Sequence, residues 1–147
     1  MAIRRHMFVL AVPDVERSAA FYRDALGFEV REIGDAGWRM FERDGCRILA
    51  GECPDAQPAA SLGDHAYFGY LVVDDVDAEH RRAVAAGAEV LKPPTDEPWG
   101  LRECALRTVD GHRLVLGQPM ADAAQDGRKS TGQDTTIGST SLAPKSN

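Results

Sequence analysis

Apolar and polar positions change their periodicity in a regular order near the start of the chain. Residues 7–12 form a short and almost wholly apolar run, which is typical of a buried strand. Asp14 then stands where the N-cap of a helix is expected, and Gly27 stands where a left-handed residue would end that helix. Between them, one apolar face recurs at helical spacing, formed by Val15, Ala19, Tyr22 and Leu26.

Three short strands are predicted after this helix. They lie at residues 28–33, 38–43 and 46–50. Asp44-Gly45 separates the last two strands and is a typical hairpin turn. The first part of the chain therefore has the predicted order β-α-β-β-β.

The same order of signals returns about 60 residues further along the chain. A strand at 67–73, a helix at 76–86 that ends at Gly87, and a turn at Asp110-Gly111 repeat the first set. The remaining strands are predicted near residues 88–92, 101–108 and 113–116. We therefore expect an α+β fold built from tandem βαβββ modules.

The repeat also predicts the domain organisation. The two modules cover about residues 4–56 and 65–119, and Pro58 and Gly63 mark a linker at 57–64. The composition shifts to Ser, Thr, Gly, Gln and Asp from residue 120 to 147. Such a segment buries too little apolar area to offset its ordering entropy, so we expect a flexible polar tail after a domain at 1–119.

Charge and cysteine content narrow the function classes. The net charge of -6 and pI near 5.2 argue against nucleic acid as a partner, because affinity for phosphates depends on clustered Lys and Arg. No apolar run is long enough to span a membrane. The three cysteines form no Cys-x-x-Cys pair, so a disulfide framework and a thiolate zinc site are not indicated. We expect a cytoplasmic protein.

The segment Val12 to Phe28 resembles the opening of the vicinal oxygen chelate superfamily, which includes glyoxalase I, extradiol dioxygenases and bleomycin-resistance proteins. The second half is similar to the bleomycin-resistance proteins at Pro98 to Glu103, where they carry a Pro-Trp-Gly-x-Arg-Glu signature. This resemblance implies a half-open mixed β-barrel or cleft. It also implies a homodimer whose ligand grooves are shared between subunits.

Enzymes of this superfamily hold a divalent metal with His or Glu side chains on the first and last strand of each module. The resemblance places those positions at four residues of this chain, which are Met7, Leu49, Phe68 and Val115. None of them supplies the nitrogen or oxygen ligands that such ions require. We therefore expect no metal, no cofactor and no catalytic residue, although a one-residue slip of the first strand would offer His6 as a ligand.

The two tryptophans suggest a binding function. Trp38 and Trp99 match aromatic positions of the drug groove in the bleomycin-resistance proteins, and indole faces stack well on planar molecules. The predicted ligand-binding residues are Trp38, Trp99, Phe41, Phe68, Tyr70, Arg102 and Glu103. Plain packing is the alternative for the aromatic residues, and structural hydrogen bonding is the alternative for Arg102 and Glu103.

The sequence thus favours a non-catalytic dimer that sequesters a small organic ligand, such as a bleomycin-type glycopeptide antibiotic or a similar planar cation. A metal-dependent glyoxalase, dioxygenase or lyase of the same superfamily is the alternative. A dimerising scaffold with no small ligand is a third possibility.

Overall fold

The computed structural model describes residues 1–121 and contains two βαβββ modules, as the sequence predicts. The first module comprises β1 (Phe8–Val12), α1 (Val15–Leu26), β2 (Glu29–Glu32), β3 (Trp38–Arg43) and β4 (Cys46–Glu52). A short 3-10 turn, Ala59–Ser61, lies in the predicted linker. The second module comprises β5 (Tyr67–Val72), α2 (Val76–Ala85), β6 (Glu89–Asp96), β7 (Leu101–Arg107) and β8 (Arg113–Pro119). The predicted polar tail lies outside the described residues except for its first two positions.

Each module contributes its own four-stranded mixed sheet. The first sheet has the order β1-β4-β3-β2 and the second has the order β5-β8-β7-β6. The first and last strands of each module pair in parallel, whereas the other neighbours are antiparallel. Within residues 1–121 the two sheets do not join into a closed barrel.

The helix and turn signals of the first module behave as predicted. The Asp14 side chain accepts hydrogen bonds from the backbone N–H groups of Glu16 and Arg17, at 3.1 and 3.2 Å. Gly27 ends α1 in the left-handed conformation, with φ of 72°. Asp44 and Gly45 both have positive φ, as a tight two-residue hairpin turn requires.

One side of each sheet packs on a helix, and we call this side the inner face. The inner faces and the two helices, which contact each other, share one hydrophobic core that includes Tyr22, Phe41, Ile48, Leu106 and Leu114. We call the other side of each sheet its open face. The open faces retain exposed apolar side chains such as Val9 and Val72, which are 62% and 65% exposed.

Strand β6 is longer than the sequence indicated. The predicted strand ended at Lys92, because the next two residues are prolines, but β6 continues through Pro93 and Pro94 to Asp96. This strand lies at the edge of its sheet, where a proline costs no hydrogen bond to a further strand. Its pairing with β7 shifts register twice, between Val90 and Lys92 and between Lys92 and Thr95.

Two contacts join the helix of one module to the β-hairpin of the other. Arg43, the last residue of β3, donates two hydrogen bonds to the Glu79 carboxylate on α2, at 2.9 and 2.5 Å. Ser18 occupies the position on α1 that Glu79 occupies on α2, and its hydroxyl donates to Asp110 in the hairpin between β7 and β8. We call these contacts the Arg43–Glu79 latch and the Ser18–Asp110 latch.

Candidate functional site

A polar cluster lies on the open face of the second sheet and is centred on Glu103 of β7, which is only 6% exposed. The Tyr70 hydroxyl and the Trp99 indole N–H donate to its Oε2 atom, at 2.7 and 2.9 Å. The Lys92 ammonium donates to its Oε1 atom at 3.1 Å and to Glu97 Oε2 at 2.5 Å. We call these five residues the Glu103 cluster.

The contacts in the Glu103 cluster keep the carboxylate ionised. Burial alone would raise the pKa of Glu103, but the hydrogen bonds from Tyr70, Trp99 and Lys92 lower it overall. Burial and the adjacent Glu103 carboxylate raise the pKa of Tyr70, so its hydroxyl stays protonated and acts as a donor. Because both oxygens of Glu103 already accept hydrogen bonds, the carboxylate is better suited to hold its neighbours in position than to remove a proton from a substrate.

Trp99 stands in the turn between β6 and β7. The turn closes by a hydrogen bond from the Gly100 N–H to the Glu97 carbonyl at 3.1 Å, and Gly100 has a φ of 89°. The indole is fixed at its N–H by Glu103 while 61% of the residue remains exposed. Trp99 is therefore an anchored aromatic surface that is open to solvent.

On the last strand of each module, a glycine leaves space for an aromatic ring to lie against the backbone of the open face. A Cβ atom built on Gly51 of β4 would lie 2.6 Å from the Trp38 ring, and one built on Gly117 of β8 would overlap the Tyr70 ring. Gly51 and Gly117 occupy corresponding positions of the repeat. Both rings thus lie on bare backbone, which no other residue type would provide.

The open face of the first sheet carries an apolar strip with a charged border. Trp38, Met40, Leu49 and Val9 lie on this face by the strand register, in which Met40 pairs with Leu49 and Leu49 with Val9. The border consists of Glu42 held between Arg31 and Arg47, at 2.5 and 2.9 Å. A cavity of about 220 Å³ beside them is lined by Met7, Met40, Arg31 and Arg47, among others.

The structure brings three of the seven predicted ligand-binding residues together. Tyr70, Trp99 and Glu103 meet in the Glu103 cluster. Trp38 lies on the open face of the other sheet, and among residues 1–121 no hydrogen bond or ring contact joins it to that cluster.

The other three predicted residues lie elsewhere. Phe41 has no exposed surface and stacks on Tyr22 in the core, so its ring does not reach a ligand on the open face. Phe68 packs against the core beside Phe8. Arg102 turns to the inner face, where it makes two hydrogen bonds to Asp77, both at 3.1 Å, and one to Asp96 at 2.8 Å.

Three of the positions aligned with the superfamily's metal ligands do not fit a divalent metal ion. Met7, Leu49 and Val115 offer a thioether and two aliphatic groups, which are not ligands for the ions that the superfamily's enzymes use. His6 is exposed and precedes β1, which begins at Phe8. Over residues 1–121, no group of three or more His, Cys, Asp or Glu side chains is arranged to hold a metal ion.

Sequence reasoning missed four residues of the site. Lys92 and Glu97 are charged residues beside a proline pair, and nothing in the local pattern showed that Lys92 would reach the open face. Gly51 and Gly117 carried a readable signal, because a glycine inside a strand often marks a close approach of another group.

The fold and the site define a class of two-module βαβββ proteins that present aromatic and charged groups on open sheet faces. A family model identifies that class more closely, since residues 4–116 match the Glyoxalase/Bleomycin resistance protein/Dioxygenase superfamily. The chain belongs to this superfamily, as the sequence motifs indicated.

Curated relatives with similar sequences have no stated function. Uncharacterised proteins of Mycobacterium bovis and Mycobacterium tuberculosis are each 39% identical to the chain over 66 residues, which is 45% of this chain. The matched segment spans 43% and 39% of those two proteins, so the chain matches about two fifths of their length.

Several solved structures share the fold. A bleomycin resistance determinant encoded on the transposon Tn5 is 27% identical, with a TM-score of 0.64 over 80% of this chain and 98% of that one. TnmS3, an antibiotic binding protein from Streptomyces sp. CB03234, is 28% identical, with a TM-score of 0.62 over 81% and 98%. A fosfomycin resistance protein from Listeria monocytogenes, 19% identical with a TM-score of 0.67 over 86% and 99%, shows the shared fold alone.

The helices do not resemble membrane spans. Neither α1 nor α2 is long and apolar enough to cross a bilayer, and the same holds for every helix found within residues 1–121.

Proposed function

We propose that this protein binds and sequesters a planar small molecule with a cationic group, such as a bleomycin-type glycopeptide antibiotic, without chemical turnover. The observation that carries this proposal is the Glu103 cluster, in which a nearly buried carboxylate anchors Trp99 and Tyr70 on an open sheet face. Its oxygens are occupied by these partners and by Lys92, so the cluster is built to display groups and not to transfer protons.

The exposed indole of Trp99 supports a planar and cationic ligand. Anchoring at the N–H restricts the ring, so less side-chain entropy is lost when a flat molecule stacks on it. A cation held over an indole face adds about 0.5–2 kcal/mol of attraction. The net charge of -6 also favours a cationic ligand over an anionic one.

Two solved structures with the same fold support this class of function by their descriptions. The Tn5 protein is described as a bleomycin resistance determinant and TnmS3 as an antibiotic binding protein, and both align with nearly their whole length. The apolar side chains of Met7, Leu49 and Val115, at positions aligned with the superfamily's metal ligands, favour this function over the alternative, a metal-dependent enzyme of the same superfamily.

The proposal includes a homodimer in which the open face of one chain's first sheet lies against the open face of the partner's second sheet. Such a pairing would bring Trp38 of one chain towards Trp99 of the partner, whereas within one chain the two tryptophans are not in contact. Exposed apolar residues on both faces, including Val9 and Val72, are consistent with a covered surface.

We also propose that the protein acts in the cytoplasm. Cys46, Cys53 and Cys104 are all free thiols, which suits a reducing compartment.

Calorimetric titration with bleomycin tests the proposal. We expect saturable heat at micromolar drug, and we expect Trp99→Ala and Trp38→Ala each to weaken binding at least about 10-fold, because each removes a stacking surface worth about 1.4 kcal/mol or more. Leu62→Ala truncates an exposed apolar residue in the linker and is the matched control. An absence of heat at micromolar drug would exclude bleomycin as the ligand.

A further inference from the structure

Lys92 reaches the open face only because β6 is irregular. Side chains alternate between the two faces of a regular strand, so Lys92 would share the inner face with Val90, which packs against the core. One extra residue between them shifts the register, and Lys92 pairs instead with Ala105 on the open face. A second irregularity follows before Thr95, which pairs with Glu103. Bulges that re-aim one side chain are often found next to binding sites.

The re-aimed ammonium group lies between two carboxylates. Its distances to Glu97 Oε2 and Glu103 Oε1 are 2.5 and 3.1 Å. The side chains of Glu97 and Glu103 are 16% and 8% exposed, whereas that of Lys92 is 34% exposed. The two carboxylates are therefore more buried than the lysine between them, and we call the space between them, which the ammonium group occupies, the slot.

The charges of the slot favour a cation at this position. One ammonium group stands against two carboxylates, so the slot retains one negative charge with Lys92 in place. Lysine is a flexible, strongly hydrated point charge, and withdrawing it to water costs less than withdrawing a guanidinium held by two parallel hydrogen bonds. Trp99 and Tyr70 border the same carboxylate and add aromatic surface beside the slot.

We propose that Lys92 is an internal cation that occupies a ligand subsite, and that an alkylammonium or guanidinium group of the ligand takes its place between Glu97 and Glu103. This inference rests on the proposed function, because it assigns the part of the binding site that recognises positive charge. Lys92 then determines specificity, since a neutral ligand gains nothing by displacing it.

Chemical rescue tests the subsite without the natural ligand. Lys92→Ala in a Trp38→Phe background empties the slot and leaves Trp99 as the one tryptophan of the chain. We expect n-butylammonium to bind this variant saturably at millimolar concentration and to change Trp99 emission. We expect n-butanol, which has the same length and no charge, to bind at least about 10-fold more weakly, since one carboxylate contact with a cation exceeds about 1.4 kcal/mol.

Two matched variants show whether the response comes from the slot. Lys92→Met in the same background keeps the aliphatic stem in the slot and should abolish the response to n-butylammonium. Adding Glu103→Gln to the alanine variant should weaken the response at least 10-fold, and circular dichroism checks that each variant is folded. Equal responses to n-butylammonium and n-butanol, or a response that survives in the methionine variant, would overturn the proposal.

The bleomycin titration separates this proposal from the broader one. If n-butylammonium binds the alanine variant but bleomycin gives no heat, the subsite stands and bleomycin is not its ligand. If bleomycin binds the wild-type chain but n-butylammonium fails to bind the alanine variant, the binding function stands and the subsite is wrong.

Discussion

At the scale of single residues, the site depends on small residues as much as on large ones. Trp38 and Tyr70 lie on the open faces because Gly51 and Gly117 leave the backbone beneath them uncovered. Trp38 and Tyr70 are candidates that the sequence shows, but the glycines beneath their rings lie on other strands. Only the pairing of β3 with β4, and of β5 with β8, shows which glycine supports which ring.

Gly51→Ala tests whether the Trp38 ring packs against the backbone of Gly51. The new methyl group would collide with the ring, so we expect the ring to be displaced, the free energy of unfolding to fall by about 1–2 kcal/mol and tryptophan emission to shift. Urea denaturation and fluorescence measure both effects. Gly63→Ala is the matched control, because nothing lies within 4 Å of the added Cβ at that position and the change should stay within about 0.5 kcal/mol. Equal effects of the two substitutions would contradict the packing of the Trp38 ring against Gly51.

At the scale of secondary structure, the sequence predicts the order and type of the eight strands and two α-helices found within residues 1–121, because the periodicity and the turn residues agree. The site prediction did not take into account which face of a strand each residue occupies. Trp38 and Phe41 differ by an odd number of positions along β3, and Arg102 and Glu103 are adjacent on β7, so neither pair can share a face of a regular strand. The site prediction included all four residues, and alternation alone would have excluded one of each pair.

In the irregular strand β6, the alternation of side chains does not predict which face a residue occupies. Alternation assigns Lys92 to the inner face, and the structure places it on the open face because of an extra residue. Register shifts depend on how the strand fits its neighbour β7, which no local pattern records. For this reason the charged half of the Glu103 cluster became visible only in three dimensions.

The Arg43–Glu79 latch makes a prediction about pH. The two hydrogen bonds from Arg43 hold the pKa of Glu79 below its ordinary value, which is about 4.3 in an unfolded chain. A carboxylate with a lowered pKa stabilises the fold above its unfolded pKa, and this contribution is lost as the pH falls through the folded pKa. We expect Glu79→Gln to reduce the free energy of unfolding by about 1–3 kcal/mol at pH 7, because Glu79 is nearly buried and Arg43 loses its charged partner.

This difference between Glu79→Gln and the wild type should close below about pH 4, as the wild-type carboxylate takes up a proton. Urea denaturation from pH 3 to 7 measures it. Asp24→Asn removes a carboxylate from an exposed pair with Arg23 and is the control, with an expected change within about 0.5 kcal/mol at every pH. A stability difference for Glu79→Gln that is the same at pH 3 and pH 7 would show that the latch does not depend on the ionised carboxylate.

At the scale of the whole molecule, the two modules use their inner faces for the core and leave their open faces for other contacts. On the first sheet Glu42 is held between Arg31 and Arg47, and on the second sheet Lys92 is held between Glu97 and Glu103. Two chains that place these faces together would cover the exposed apolar side chains of both, including Val9 and Val72. The proposed groove between Trp38 and Trp99 depends on this arrangement.

Val72→Lys tests whether the open faces meet in a dimer. Val72 is 65% exposed on β5, and a lysine there would carry an unpaired charge into the proposed apolar interface. We expect the wild-type chain of 16.0 kDa to sediment as a dimer and the variant to sediment as a monomer at micromolar concentration. Val84→Lys adds the same charge at an exposed position of α2, away from both open faces, and should remain a dimer.

The monomeric Val72→Lys variant should also lose bleomycin binding by at least about 10-fold, because Trp38 and Trp99 then no longer face each other. If Val72→Lys remains a dimer while Val84→Lys dissociates, the interface lies on the helices, and the shared groove is wrong.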